Sequence, residues 1–112
     1  MLGRRVCRIE DVPDRQAKGF PIEGAEHDIF IYREGMSLRA YVNSCPHLGT
    51  PLNFLEHRFM TPDRARIQCA THGAQFEPAT GLCVQGPCLG AHLKPVPVEI
   101  DGETVRVAYT HS

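Results

Sequence analysis

Apolar residues along this chain recur at every second position in short runs, cut apart by glycine, proline and acidic residues, which is the pattern of half-buried β-strands. The clearest case lies near the C-terminal end. There Val96, Val98 and Ile100 alternate on one side, Asp101-Gly102 turns the chain, and Val105 and Val107 alternate on the other. Asp28 to Arg33, rich in β-branched and aromatic side chains, predicts a strand, with Leu38 to Asn43 as its partner across a Glu34-Gly35 turn. Gln75 to Glu77 pairs with Leu82 to Val84 across Pro78-Ala79-Thr80-Gly81, and Arg66 to Gln68 forms a further short strand. Arg4 to Ile9 reads as an edge strand that runs into a proline-containing loop. Only Pro51 to Met60 carries a mild helical pattern, and no repeat or low-complexity segment interrupts the series. The fold class predicted is all-β.

Composition narrows the setting. A chain of 112 residues is one ordinary domain, large enough to bury a core and too short for a second catalytic unit. Nine prolines and ten glycines agree with many turns and few long helices. A formal charge of −1 gives no case for nucleic acid or an anionic membrane surface. No run approaches the roughly 20 apolar residues of a membrane span. Met1-Leu2-Gly3-Arg4-Arg5 leads into no apolar stretch, so neither signal peptide nor anchor is expected, and the paired arginines read as a solvated strand start. Five cysteines, an odd number in no evident framework, fit a reducing cytoplasm.

Chemistry concentrates in two short runs, Cys45-Pro46-His47-Leu48-Gly49 and Cys69-Ala70-Thr71-His72-Gly73. Two thiolates and two imidazoles in paired half-sites can hold a metal centre. Residues two or three apart can aim at one point if the backbone bends, and Pro46, Gly49 and Gly73 supply that bending. Spacing alone does not separate an iron–sulfur cluster from a tetrahedral zinc site, since Cys₂His₂ is also a zinc ligand set. The remaining histidines, His27, His57, His92 and His111, show no spacing with a carboxylate that suggests a mononuclear iron site.

These runs resemble the Rieske iron–sulfur family, whose pattern is Cys-x-His-x-Gly in a first loop and Cys-x-x-His-Gly-x-x-Phe in a second. The match covers Cys45 to Gly49 and Cys69 to Phe76, and Gly81, Gly86-Pro87, Leu93 and Val98 look like the turn, proline loop and closing strands that follow in that family. Gly73, Phe76 and the Gly86-Pro87 loop are features that zinc fingers lack. The segment 48–68 between the ligand pairs is longer than expected for small members.

The resemblance implies an antiparallel β-sandwich or barrel base, from residues 1–42 and 91–112, with a smaller cluster-binding subdomain over 43–90. It further implies one [2Fe-2S] cluster per chain, with Cys45 and Cys69 on one iron and His47 and His72 on the other. Leu48, Gly49, Gly73, Gly86 and Pro87 would shape the surrounding loops, with Pro46, Leu48 and Pro87 as an apolar rim that excludes water and meets a partner. Neutral imidazoles in place of two thiolates remove negative charge and raise the reduction potential over an all-cysteine cluster. In the family the histidines lie at the molecular tip, which would make His47 and His72 the exit for the electron and couple their protonation to the redox state. High-potential members add a disulfide cysteine to each loop and two hydroxyl donors. This chain has Thr50 and Thr71 at the cysteine positions and Ala74 and Phe76 at the hydroxyl positions, so a low potential is expected.

The function implied is one-electron transfer between protein redox partners, a reductase and a terminal oxygenase or similar oxidoreductase. The alternatives are a non-catalytic small subunit of an enzyme such as cytoplasmic nitrite reductase and, in another class, a structural zinc domain. A membrane respiratory subunit is disfavoured by the missing disulfide cysteines and anchor. Arg58, Arg64 and Arg66 form a basic cluster that reads first as a solvated face and second as a surface steering an acidic partner. Cys83 and Cys88 are close enough in sequence for a redox pair, although a strand position for Cys83 and a reducing compartment favour ordinary packing. Cys7 reads as a passive thiol.

Overall fold

Alternation of side chains across a pleated strand explains why one segment, Ile29–Glu34, can be apolar at every one of its first four positions. Ile29 and Ile31 face one core, together with Val12, Leu38, Ala40, Val42, Val96, Val105 and Val107. Phe30 and Tyr32 face another, with Tyr41, Phe59, Ile67, Cys69, Phe76 and Leu93. The strand is therefore covered on both sides, and the molecule has two apolar layers back to back.

The structure is a computed structural model that describes residues 4–22, 27–44, 59–69 and 73–108. Ten strands are named in it, β1 (Arg4–Arg8), β2 (Gln16–Phe20), β3 (Ile29–Glu34), β4 (Ser37–Val42), β5 (Ile67–Gln68), β6 (Gln75–Phe76), β7 (Cys83–Gln85), β8 (Pro95–Val96), β9 (Val98–Asp101) and β10 (Thr104–Val107), with one 3₁₀ turn at Ile9–Asp11. They form three antiparallel sheets in the orders β1-β10-β9, β2-β3-β4-β8 and β5-β6-β7. The first two sheets close on the Ile29/Ile31 layer, and the third packs over the Phe30/Tyr32 layer. An all-β antiparallel fold is thus what the alternating pattern predicts and what the chain adopts.

Local differences have physical causes. The β3–β4 turn is Gly35-Met36, one residue later than expected, because Glu34 still pairs with Ser37. Gly35 sits at φ +61° in the first position of this two-residue turn, the left-handed conformation that a type II′ hairpin requires and glycine tolerates. β2 has no counterpart in the sequence reading, since Gln16-Ala17-Lys18-Gly19-Phe20 carries no regular apolar alternation. It is a strand because β3 offers it a ladder from Gln16↔Arg33 to Phe20↔Ile29. The turn before it is pinned by Arg33, whose Nη1 donates to the Val12 carbonyl at 3.0 Å, and by the Gly35 amide, which donates to Asp14 Oδ1 at 2.7 Å. The closing alternation is split between sheets. Val96 pairs with Ala40 in β4, whereas Val98 pairs with Val107 in β10, and Pro97, with no N–H to give to a ladder, marks the crossing. The expected helical character of Pro51 to Met60 is corrected at its end, where Met60 makes an antiparallel bridge to Ile67; residues 51–58 lie outside the described residues.

Candidate metal centre

Two strands deliver the chain to the two cysteine–histidine runs. β4 ends at Val42, whose amide donates to the Lys94 carbonyl at 2.9 Å, while the amides of Asn43 and Ser44 donate to the Asp28 and Val42 carbonyls at 2.8 Å each. This carries a well-bonded backbone to the position before Cys45. Cys45, His47, Leu48, Gly49 and Thr50 lie outside the described residues, as do Pro46, Arg58, Thr71 and His72.

The second run is anchored at both ends. β5 leads into Cys69, which is fully buried in the same layer as Phe30 and Phe76. The Cys69 amide donates to the Ala74 carbonyl at 2.7 Å, and the Gly73 amide donates back to the Cys69 carbonyl at 2.9 Å. The described ends of this run, Cys69 and Gly73-Ala74, therefore close on each other. Among the described residues the Cys69 sulfur has no hydrogen-bonding partner. A buried thiol held at the neck of a closed loop fits a metal-ligating role. No described group of three or more histidine, cysteine or acidic residues converges, as follows when Cys69 alone of the four expected ligands is described.

Gly86 and Pro87 take their place from this loop. Gly86 adopts φ +105°, and a Cβ on it would stand 2.7 Å from the Ala74 Cα. The proline loop thus lies directly on the backbone that follows the second run, a contact only glycine permits. Pro87 is exposed beside it, and Leu89, two residues on, is 69% exposed. Of the apolar rim expected from Pro46, Leu48 and Pro87, only Pro87 lies among the described residues, and Leu89 is exposed near it.

Three features were not foreseen. Phe59 stacks on Phe30 with ring centroids 4.6 Å apart and planes 17° apart, and its carbonyl accepts from the Gln68 amide at 2.8 Å. This fixes where the long intervening segment returns to the core. The Tyr41 hydroxyl donates to the Pro78 carbonyl at 2.7 Å, tying β4 to the β6–β7 turn, and burial pushes the Tyr41 phenol up to about 12. Residues 61–66 are an ordered turn. The Thr61 hydroxyl and the Ala65 amide donate to Asp63 Oδ1 at 2.6 and 3.0 Å, which holds that carboxyl below its ordinary value, and the Thr61 amide donates to the Arg66 carbonyl at 2.9 Å. Arg64 and Arg66 project from this turn as exposed residues. Elsewhere Cys7 is half-buried on β1, and burial, with Asp11 adding to it, pushes its thiol up to about 11, in keeping with a passive residue.

Comparison with known proteins places this geometry in a family. The Rieske [2Fe-2S] domain matches residues 4–106, nearly the whole chain, and the chain belongs to that family. A mouse relative, apoptosis-inducing factor 3, is 27% identical over 106 residues, and this chain spans about 16% of its length. Among solved structures, the ferredoxin of carbazole 1,9a-dioxygenase from Nocardioides aromaticivorans IC177 superposes with a TM-score of 0.77 at 23% identity, covering 98% of this chain and all of that one. A chain from the complex of reduced oxygenase and oxidised ferredoxin in carbazole 1,9a-dioxygenase superposes with a TM-score of 0.76 at 26% identity, covering 97% of this chain and 94% of that one.

Proposed function

We propose that the chain is a one-electron carrier that receives an electron from a reductase and passes it to a terminal oxygenase or similar oxidoreductase. The single observation that carries this reading is the likeness, over nearly the full length of both chains, to a chain of an oxygenase–ferredoxin complex. The buried Cys69 at the neck of its closed loop agrees with it.

Cys45 and Cys69 would hold one iron of a [2Fe-2S] cluster and His47 and His72 the other. When bound, the cluster supplies the capacity to take up and release one electron. The protein does the rest. The 69–74 loop presents its cysteine from a buried position, Gly86 lets the proline loop lie against it, and Pro87 and Leu89 offer an apolar surface for a partner. In this reading a base from 1–42 and 91–112 would carry a smaller cluster-binding subdomain over 43–90.

The test is a reductive titration under argon followed by mixing with an oxidised Rieske oxygenase. Uptake of one electron per chain and reoxidation by the oxygenase within its turnover time support a carrier. Uptake of none, or a stoichiometric complex that never dissociates during turnover, contradicts it.

A further inference from the structure

Cys83 and Cys88 sit on either side of the Gly86-Pro87 loop with their sulfurs 3.0 Å apart, the Cys88 thiol donating to Cys83 Sγ and the Cys83 thiol donating to the Gln85 carbonyl at 3.3 Å. Both are thiols in this structure. The backbone holds them face to face: the Cys83 amide donates to the Ala91 carbonyl at 2.7 Å, the Gly90 amide to the Cys83 carbonyl at 3.1 Å, and the Ala91 amide to the Cys88 carbonyl at 2.8 Å. Their burial is unequal. Cys83 is 1% exposed, whereas Cys88 is 8% exposed and is followed by the outward Leu89. We propose that Cys83 and Cys88 are a thiol–disulfide couple, oxidised by a peroxide and separate from the four expected ligands, that clasps the Gly86-Pro87 loop.

Cys88 is the entry point because it is the sulfur nearer solvent. Its thiolate attacks hydrogen peroxide, an S–O bond forms, the O–O bond breaks, and hydroxide leaves to be protonated as water. The Cys83 thiolate then displaces the sulfenic oxygen, an S–S bond forms, and a second water leaves after protonation. Two thiols and one peroxide thus become one disulfide and two waters. The approach needed is short, since the sulfurs already touch, whereas Cys69 is fully buried and its amide is bonded to the Ala74 carbonyl.

The consequence follows from what the loop rests on. Gly86 lies against the Ala74 backbone, and Gln85 pairs with Gln75 in β6, three residues past His72. A disulfide closing residues 83–88 removes freedom from that loop in the opened state, so the backbone after the second run opens less often. Oxidation is expected to slow loss of the bound cluster several-fold.

The experiment uses the holoprotein. It is exposed to a few equivalents of hydrogen peroxide, with thiols alkylated before and after dithiothreitol reduction, and chymotryptic cleavage after Phe76 separates Cys83 and Cys88 from Cys69 in mass spectra. The expected result is loss of two hydrogens from the peptide carrying Cys83 and Cys88, reversed by dithiothreitol, with the visible spectrum retained and its bleaching by an iron chelator slowed several-fold. C88A is expected to abolish the bridge, and dithiothreitol reversal in the wild type reads the couple even if that variant folds poorly. Cys83 and Cys88 both remaining alkylatable while peroxide bleaches the protein, or their over-oxidation to sulfinic acids without a bridge, overturns the proposal. Because the bridge is read by mass, its absence is distinguishable from a failure of the electron-carrier reading.

Discussion

The residues around Cys69 carry most of the proposed chemistry, and each makes a separate prediction. Gly86→Ala brings a Cβ to 2.7 Å from the Ala74 Cα and places alanine at φ +105°, at a strain on the order of 1–3 kcal/mol before any clash. Cluster content per chain, measured as iron and sulfide, is expected to fall, and unaltered loading would show that the proline loop does not support the second run. Ala74 and Phe76 are fully buried and bring no hydroxyl toward this site. Fewer donors stabilise the reduced form less, so the midpoint is expected near the lower end of the range of roughly −150 to +300 mV for Rieske centres. Voltammetry above about +100 mV contradicts this, and Phe76→Tyr is expected to raise the value. Tyr41→Phe leaves the Pro78 carbonyl without its donor and is expected to cost about 1–2 kcal/mol in urea unfolding. The Tyr41 phenol, ordinarily near 10, titrates at about 12 in the fold, so its contribution is complete below pH 10 and lost as pH rises from there through 12.

Among the elements, the strands with regular alternation were legible in the sequence and those made by their neighbours were not. β9 and β10 are legible because an apolar face must be buried on a period of two, and β3 because its run of β-branched and aromatic side chains is covered on both faces, with β4 following as its partner across the turn. β2 is held by its ladder to β3, and Pro97 sends one alternating run into two sheets, so neither shows in a local pattern. For the proposed site, the cysteine and histidine spacing singles out both runs, of which Cys69 and Gly73 lie among the described residues. The spacing did not reveal Phe59 stacked on Phe30, which depends on contact between distant segments, and it raised a Cys83–Cys88 pair only as the less favoured alternative to ordinary packing, whereas the two sulfurs meet across the proline loop. The 61–66 turn is organised by short-range polar bonds. Asp63→Ala removes the acceptor for both the Thr61 hydroxyl and the Ala65 amide, and hydrogen exchange is expected to quicken at Ala65 and Arg66 while β3 stays protected. Equal quickening throughout would mean that the turn is coupled to the whole fold.

Over the whole molecule, two sheets close on the Ile29/Ile31 layer, and the third sheet, with the second run, stands on the opposite face of β3. One strand, β3, therefore packs against both the base and the proposed cluster site. The charge is nearly balanced at −1, yet Arg64 and Arg66 lie together on the turn that precedes β5. For an acidic partner, the double reversal Arg64→Glu with Arg66→Glu is expected to slow association several-fold at low ionic strength, and the difference is expected to vanish near 1 M salt, where screening acts over about 3 Å. A rate unchanged at low salt would assign these arginines to a solvated face. The most direct measurement is the visible absorption and low-temperature electron paramagnetic resonance of the purified protein, oxidised and dithionite-reduced. A red-brown protein whose reduced form gives a rhombic signal with the low average g of mixed cysteine and histidine ligation, lost in Cys69→Ser, is the expected result. A colourless protein holding stoichiometric zinc would contradict electron transfer and make this a structural metal domain.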